Sequence, residues 1–262
     1  QSVTEEECTG NGALAALIRG YKADAAIITE PVDEALVRAN VGVIWFKVHV
    51  KGHPVHVASA ESGSNAIDAA IHLIQALKNF EQKRNLEKVN HPQFAGFDHP
   101  INVNVGKIEG GDWASSVPAW CTFDVRTGLY PGESAEDQSR VVQAFIAEAS
   151  GRHPFLSNNP VEVVFNGFMA EGYELAPGSQ AEALLAKLHA EVASKALKEI
   201  TSLAYLDARV FALYADTPCL VYGPYSENIH GYDERVNLDS IKRVTKSLAL
   251  FIANWCGLEK IS

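Results

Sequence analysis

The sequence predicts an α/β fold in which an αβα layer of helices and parallel strands is interrupted by an inserted α+β domain. Two short, continuously apolar runs, residues 24–29 and 219–222, are typical of strands buried in a parallel sheet. From Gly42 onward, apolar and polar residues instead alternate, which indicates strands with one solvated face. Because the alternating strands lie between the two apolar runs, we expect them to form an insertion into the αβα layer.

The chain has 262 residues, of which 47% are hydrophobic and 21% are charged, a composition typical of a globular protein. No apolar run is long enough to cross a bilayer. A formal net charge of −10 argues against a nucleic-acid-binding surface. The cysteines lie far apart and show neither metal-binding nor disulfide spacing, which favours a reducing compartment. We therefore expect a cytoplasmic protein that contacts neither membranes nor nucleic acid.

The first predicted element is a strand at residues 2–4, which leads into the consecutive glutamates Glu5, Glu6 and Glu7. Three adjacent carboxylates can simply be solvated. Alternatively, one of them ligates a divalent metal ion while a neighbour acts as a base on the bound water. Because the chain enters this strand without a helix cap, a polar tail or a signal peptide, we interpret it as starting inside a longer fold.

A short helix is predicted at residues 13–18, and the apolar strand of residues 24–29 follows it. That strand ends at Glu30, which precedes a proline. A carboxylate at the end of a buried strand often serves the functional site of an α/β fold. A solvated turn residue before proline is the alternative interpretation.

The inserted domain is predicted to have the order β-α-β-β-α-β over residues 43–165. Its two helices follow the N-caps Ser64 and Ser134, and residues 79–100 form a loop after the first helix. This is the ferredoxin-like arrangement, in which a four-stranded antiparallel sheet carries two helices on one face. An edge strand of such a sheet invites pairing, so we expect the domain to dimerise.

Beyond the insertion, the sequence again shows the pattern expected of the αβα layer. Ser179 and Glu182 form a capping box that opens a helix, and Asp239 is predicted to cap the last helix. The predicted domains are residues 1–42 and 169–262 for the layer and residues 43–168 for the insertion.

His230 lies in a loop that follows the last predicted strand of the layer. A lone histidine in a loop is usually a surface residue. Here, however, Glu7 and Glu30 also follow predicted strands, and the ends of central strands converge at one edge of an α/β sheet. Two carboxylates and an imidazole are competent zinc ligands, so these three residues are candidate metal ligands.

Several short motifs accompany these residues in a fixed order along the chain. They are Glu6-Glu7, Glu30-Pro31, Gly52-His53-Pro54-Val55-His56, Gly110-Gly111, Val117-Pro118, Asp124-Val125-Arg126, Asp207-Ala208-Arg209, Gly223-Pro224 and His230-Gly231. In this order they resemble the dinuclear zinc deacylase and carboxypeptidase family. That family includes acetylornithine deacetylase, succinyl-diaminopimelate desuccinylase, aminoacylase and glutamate carboxypeptidase.

The resemblance implies a role in catalysis or metal binding for four residues. Glu6 corresponds to the general base, Glu7 and His230 to ligands of one metal ion, and Glu30 to the carboxylate ligand of the other. The implied cofactors are two divalent metal ions, most simply zinc, with cobalt and manganese as alternatives.

The resemblance also implies residues that contact the substrate. His56 corresponds to a lid-domain histidine that reaches into the neighbouring subunit's active site and stabilises the oxyanion. Arg126 corresponds to the arginine that holds the substrate carboxylate, and Asp207 and Arg209 are assigned to the substrate site. The implied protein is a zinc-dependent amidohydrolase that cleaves an N-acyl amino acid or a small peptide. Its inserted domain is the lid and dimerisation domain of a homodimer.

Two departures from the family pattern matter. Ser115 and Ser116 occupy the place where the family often has an asparagine that lines the substrate pocket. The family's His-x-Asp motif and metal-bridging aspartate precede the paired glutamates and do not occur here. We therefore expect a carboxy-terminal part of the fold, incomplete on its N-terminal side and inactive alone. The alternative is a non-catalytic fragment or relative whose inserted domain serves dimerisation.

Overall fold

The computed structural model describes residues 1–259 of the chain. Its elements are α1 (Asn11–Ile18), β1 (Ala26–Ile28), β2 (Leu36–Asn40), β3 (Gly42–Lys51), α2 (Ala66–Leu86), β4 (Val103–Gly110), β5 (Trp120–Leu129), α3 (Ala135–Gly151), β6 (Glu162–Ala170), β7 (Tyr173–Glu174), α4 (Gln180–Ala193), β8 (Glu199–Ser202), α5 (Ala208–Ala215), β9 (Cys219–Val221), β10 (Ser226–Glu227), β11 (Arg235–Val236) and α6 (Leu238–Cys256). Within the described residues, none of the helices has both the length and the apolar character needed to cross a membrane.

The lid domain, residues 42–170, contains one antiparallel sheet with the strand order β4-β5-β3-β6. The helices α2 and α3 pack on one face of this sheet. Their apolar side chains form a common core with the strands, which includes Phe46, Leu73, Phe123 and Ile146. This arrangement confirms the ferredoxin-like insertion. The opposite face of the sheet is directed toward the rest of the chain.

The remaining residues form the αβ layer, which contains small parallel pairings. β1 pairs with β9, and β2 pairs with β8 on one side and with the antiparallel β7 on the other. The helices α4 and α6 pack together over a core that includes Leu185, Leu220, Tyr222 and Val244. β9 is fully buried, as its apolar run predicts, whereas β1 is only half-buried. Burial on both faces is therefore the wrong prediction for β1, which has β9 as its single partner strand among the described residues.

The chain crosses between the two domains twice, and the two crossings touch at Gly42 and Gly172. A Cβ atom on Gly42 would lie 2.4 Å from the carbonyl oxygen of Ala170 and from the nitrogen of Gly172. A Cβ atom on Gly172 would lie 2.4 Å from the carbonyl oxygen of Asn40. Because backbone atoms make these contacts, both positions need glycine.

The strand predicted at residues 2–4 does not form. These residues lead into a turn in which the N–H groups of Cys8, Thr9 and Gly10 all donate to the carbonyl oxygen of Glu5. The backbone before the turn packs against the start of α1, which holds it away from an extended pairing.

Two helices begin at caps that differ from the predicted ones. Asn65, not Ser64, caps α2, because its side chain accepts hydrogen bonds from two N–H groups of the first turn. Asn237, not Asp239, caps α6 through a hydrogen bond that its side chain accepts from Ser240 N–H. In both cases an asparagine supplies the capping oxygen, one position after the predicted cap of α2 and two positions before that of α6.

The helix α2 extends to Leu86, well into the stretch predicted to be a loop. Leu77 and Phe80 are buried in the core of the lid domain, which holds the additional turns in place. Asn85 fixes the end of the helix, because its side-chain amide donates to the carbonyl oxygen of Ile101 and accepts from the N–H group of the same residue.

Candidate active site

A cavity of about 780 Å³ lies between the αβ layer and the face of the lid sheet that does not carry helices. The αβ layer contributes Glu6, Glu7, Glu30 and His230 to its lining, and the lid domain contributes Arg126. The structure thus brings five of the eight residues singled out by sequence into one cavity.

The turn that carries Glu6 and Glu7 packs against the rest of the αβ layer. Gly10, at its end, has φ +70°, and a Cβ atom there would lie 1.9 Å from the hydroxyl oxygen of Tyr205. Only glycine therefore allows the turn to sit this closely on the tyrosine. Thr9 donates a hydrogen bond of 2.6 Å to the carboxylate of Glu5, which closes the turn on its exposed side.

Glu30 lies directly after β1, beside the end of the parallel strand β9. A Cβ atom on Gly223 would lie 2.0 Å from the carbonyl oxygen of Glu30, so the two strand ends are in backbone contact. The next residues are tied to the same place, because Glu34 N–H donates to the carbonyl oxygen of Gly223 and Asp33 N–H to that of Pro224.

The carboxylates around Glu6 perturb one another. Burial, followed by the charges of Glu30, Asp207 and Glu7, raises the pKa of Glu6 to about 7. Burial and the charges of Glu7 and Asp207 also raise the pKa of Glu30. The pKa of Asp207 is raised by burial. Such mutual repulsion is what a bound cation would relieve.

His230 lies on the exposed hairpin formed by β10 and β11, with a left-handed φ of 61°. Its Nε2 atom is 3.6 Å from Oε2 of Glu7, so the two predicted ligands of one metal ion are neighbours. Across residues 1–259, however, no three His, Cys, Asp or Glu side chains are arranged so that they could hold a metal ion together.

Arg126 lies on β5 and is the one arginine in the lining of the cavity. Its guanidinium donates a 3.3 Å hydrogen bond to the carbonyl oxygen of Leu203. Burial lowers the pKa of Arg126. No acidic side chain among residues 1–259 forms an ion pair with Arg126. The nearby Asp124 is instead paired with Lys47.

The other three predicted site residues lie outside the cavity lining. Asp207 accepts a 2.8 Å hydrogen bond from the hydroxyl of Tyr205. Arg209 is buried and bonds to Glu171 and to Tyr214. His56 lies in an exposed loop of the lid domain, where its Nδ1 atom accepts from a neighbouring N–H group. Substrate contact by these residues stays a prediction.

The chain is similar to known peptidases and deacylases. Residues 38–154 match the family described as the peptidase dimerisation domain of the M20 group. The N-formyl-4-amino-5-aminomethyl-2-methylpyrimidine deformylase of Halalkalibacterium halodurans is 28% identical to this chain, over 99% of the chain and 64% of the deformylase. The acetylornithine deacetylase of Proteus mirabilis is 27% identical, over 90% of the chain and 58% of the deacetylase. The match to the dimerisation domain thus covers less than half of the chain, and the two relatives that cover most of it are deacylases by name.

Solved structures of two peptidases share the fold of this chain. Aminopeptidase PepT from Bacillus cereus has a TM-score of 0.67 and 20% identity, with 95% of this chain and 62% of that chain covered. A tripeptidase from Staphylococcus aureus has a TM-score of 0.70 and 16% identity over the same shares. The chain thus spans less than two thirds of the length of each of these relatives. Enzymes of the M20 family are hydrolases that generally depend on metal ions.

Sequence reasoning missed the aromatic part of this cavity. Trp45, Phe168 and Tyr205 line it next to Arg126. The alternating pattern around Trp45 indicates that its side chain faces away from the lid core, but it does not show what that face meets. Phe168 lies beyond the predicted end of its strand, because β6 continues past a bulge opposite Trp45.

Proposed function

We propose that this chain forms the base-bearing and substrate-binding part of a metal-dependent hydrolase that cleaves the amide bond of an N-acyl amino acid or a small peptide. The observation that carries the proposal is the shared cavity. In it, a glutamate with a pKa of about 7, Glu6, and a half-buried arginine without an acidic partner, Arg126, line one space.

Glu6 is suited to proton transfer at neutral pH. A general base works best when its pKa lies near the working pH, and burial beside other carboxylates brings Glu6 to that range. Glu6 accepts the proton of the attacking water as the water oxygen bonds to the amide carbon. It then donates that proton to the leaving nitrogen as the carbon–nitrogen bond breaks. The products are a carboxylic acid and an amine.

The donors beside Glu6 have the chemistry that a divalent metal ion takes, although no three of them converge on one point among residues 1–259. Glu7, Glu30 and His230 offer carboxylate oxygens and an imidazole nitrogen, and burial together with neighbouring negative charge raises the pKa values of Glu6 and Glu30. A divalent ion there would polarise the carbonyl group and lower the pKa of the attacking water. Since a catalytic zinc takes three protein ligands, the adjacent pair Glu7 and His230 supplies two of them.

Arg126 is suited to hold the carboxylate of the substrate. Partial removal of a charge from water is costly without a partner, and the half-buried guanidinium in this cavity has one carbonyl oxygen as its hydrogen-bond acceptor. A substrate carboxylate would offset that cost through two parallel hydrogen bonds, which a guanidinium forms better than an ammonium group does.

A homodimer through the lid domain is part of the proposal. The match to a peptidase dimerisation domain supports it. His56, exposed on the lid loop and outside the cavity of its own chain, is available to a second chain. There it would donate a hydrogen bond to the oxyanion of the partner's substrate.

Metal binding by this chain is the first test of the proposal. We expect isothermal titration calorimetry to show weak zinc binding, and Glu7→Gln to weaken it by at least about tenfold because one of two adjacent ligands is lost. Glu5→Gln is the matched control, since Glu5 belongs to the same acidic triplet but lies outside the cavity, and it should leave the zinc affinity unchanged. Equal weakening by both substitutions would refute the assignment.

Hydrolysis is measured with the complete gene product and a panel of N-acetyl amino acids. We expect Glu6→Gln to abolish turnover while zinc affinity is retained, because a base is not a ligand. A protein that binds zinc and N-acetyl amino acids but hydrolyses none of them would instead be a non-catalytic relative whose lid domain serves dimerisation.

A further inference from the structure

Arg126 lies between two cross-strand neighbours of different chemistry. Trp45 on β3 is directly opposite Arg126, and Asn104 on β4 is opposite it on the other side. Residues opposed in this way on one face of an antiparallel sheet have Cβ atoms about 4.5–5.5 Å apart. A group attached to the carbon next to a carboxylate held by Arg126 therefore lies beside the indole of Trp45 or the amide of Asn104.

The indole ring of Trp45 is held in place by its surroundings. It packs edge-on against Phe168, with ring centroids 5.1 Å apart and an interplanar angle of 87°. A Cβ atom on Gly167 would lie 2.7 Å from Cε3 of the indole, so the absence of a side chain there lets the ring lie against β6. Gly167 also has a φ of +150°, so both the close contact and the backbone conformation require glycine at this position.

The aromatic contacts continue into the αβ layer. The ring of Phe168 lies 4.5 Å from that of Tyr205, measured between centroids. Trp45, Phe168 and Tyr205 therefore form one apolar wall of the cavity, which we call the aromatic wall, and it extends from Arg126 to the tyrosine that supports the Glu6 turn. A substrate whose carboxylate is bound at Arg126 and whose amide lies at Glu6 passes along this wall.

The charges in the cavity exclude one class of side chain. Asp124, Glu6, Glu7 and Glu30 line it, so a second carboxylate on the substrate would be repelled. A cationic side chain and an apolar side chain remain. The direct pairing of Trp45 with Arg126, together with the support of the ring by Phe168, favours the apolar one.

We propose that Trp45 is the specificity-determining residue of this site and that it selects substrates with a flat, apolar group on the carbon that carries the carboxylate, such as N-acyl derivatives of aromatic amino acids. Offset or edge-on contact with the indole ring provides the attraction, beyond the burial of apolar surface that any large side chain would gain. This inference rests on the proposed function, in which Arg126 holds the substrate carboxylate.

Binding rather than turnover tests the inference, with the 262-residue chain and isothermal titration calorimetry. We expect N-acetyl-L-phenylalanine to bind at least about tenfold more tightly than N-acetyl-L-alanine or N-acetyl-L-ornithine. Trp45→Ala should reduce this ratio to below about threefold with little change in the Kd of the alanine derivative, and Trp45→Phe should restore most of it. Trp113→Ala, which removes an exposed tryptophan outside the cavity, should change neither value.

The possible outcomes separate this inference from the proposed function. Equal affinities for the three compounds, or tighter binding of the ornithine derivative, would overturn the role of Trp45 alone. No binding of any of them, or binding that Arg126→Gln leaves unchanged, would overturn the carboxylate site and this inference with it. The affinity ratio of the unsubstituted chain decides the matter even if Trp45→Ala fails to fold.

Discussion

The half-buried Glu6 and the buried Glu34 show how neighbouring groups decide the ionisation of a glutamate. Burial raises the pKa of both. Around Glu6 the neighbouring groups are carboxylates, which add to that effect and bring its pKa to about 7. Around Glu34, hydrogen bonds from Arg243 and Lys195 outweigh burial and lower the pKa to about 2. The pKa of Glu6 therefore lies near neutral pH, whereas Glu34 is ionised there.

Glu34 is a structural clamp for the loop that carries Glu30. Its side chain is 0% exposed, 2.9 Å from Nζ of Lys195 at the end of α4 and 2.7 Å from Nε of Arg243 on α6. Because its N–H group also donates to Gly223, it ties the ends of β1 and β9 to two helices.

We expect Glu34→Gln to lower the free energy of unfolding by about 3 kcal/mol at pH 7, because it removes the buried anion that two partly exposed cations share. The pKa of Glu34 is lower in the folded chain than its ordinary value of 4.5. Its contribution is therefore fully present above that value and is lost as the pH falls toward 2. Urea unfolding at pH 7 and at pH 3.5 measures the difference, which should be smaller at pH 3.5.

Glu227→Gln is the control for this measurement, since it also removes a carboxylate bonded to an arginine. The pair that Glu227 forms with Arg235 is exposed on both sides, and such pairs contribute less than about 1 kcal/mol. If both variants lowered the free energy of unfolding by a similar amount, the role of Glu34 as a clamp would be contradicted.

At the scale of elements, the crossing between the domains depends on two glycines in backbone contact. We expect Gly42→Ala to lower the free energy of unfolding by about 3 kcal/mol, because the added Cβ atom meets a carbonyl oxygen and an amide nitrogen that cannot move aside. Thermal or urea unfolding followed by circular dichroism measures this loss.

Gly151→Ala provides the matched control. Gly151 ends α3, and a Cβ atom there has open space around it. Its replacement should change the free energy of unfolding by no more than about 1 kcal/mol, in the stabilising direction, because alanine favours the helix. A Gly42→Ala variant as stable as this control would show that the crossing can relax.

The sequence predicts those elements whose signal is local. The alternating strands of the lid domain and the capping serines Ser134 and Ser179 carry their signal within a few residues, and both caps form as predicted. The strand β2 was missed because Arg38 interrupts its apolar pattern, yet Arg38 is buried. Carboxylates far along the chain, Glu182 and Glu199, make that burial possible, and no local pattern reveals such partners.

The residues of the candidate site also divide into those that the sequence could indicate and those that it could not. Five charged or titratable residues of the cavity could be proposed because their motifs, in this order, resemble those of a known family: Glu6, Glu7, Glu30, Arg126 and His230. The aromatic wall could not, since Trp45 meets Phe168 across strands and Tyr205 across domains. The aromatic wall depends on how the two domains face each other. The alternating pattern of a single strand contains no information about the arrangement of domains.

At the scale of the whole molecule, the lid sheet has β4 at one edge, with its outer side unpaired among the described residues. Ile108 on this strand pairs with the buried Phe123, so its side chain lies on the helix-bearing face, yet it is 49% exposed. Ile71 on the adjoining helix α2 is 44% exposed. An unpaired strand edge next to exposed isoleucines is suited to a second copy of the same strand.

We expect the chain to be a dimer of about twice 28.4 kDa at micromolar concentration, formed by antiparallel pairing of β4 with its copy about a two-fold axis. Ile108→Lys should shift the mass measured by light scattering toward that of the monomer, because a like charge from each chain would meet at the edge. Val141→Lys introduces the same charge at a similarly exposed position on α3 and should leave the dimer intact. A monomeric unsubstituted chain would contradict the dimer, and equal effects of the two lysines would place the dimer contact elsewhere. His56 would then have no route through this edge to the cavity of a second chain.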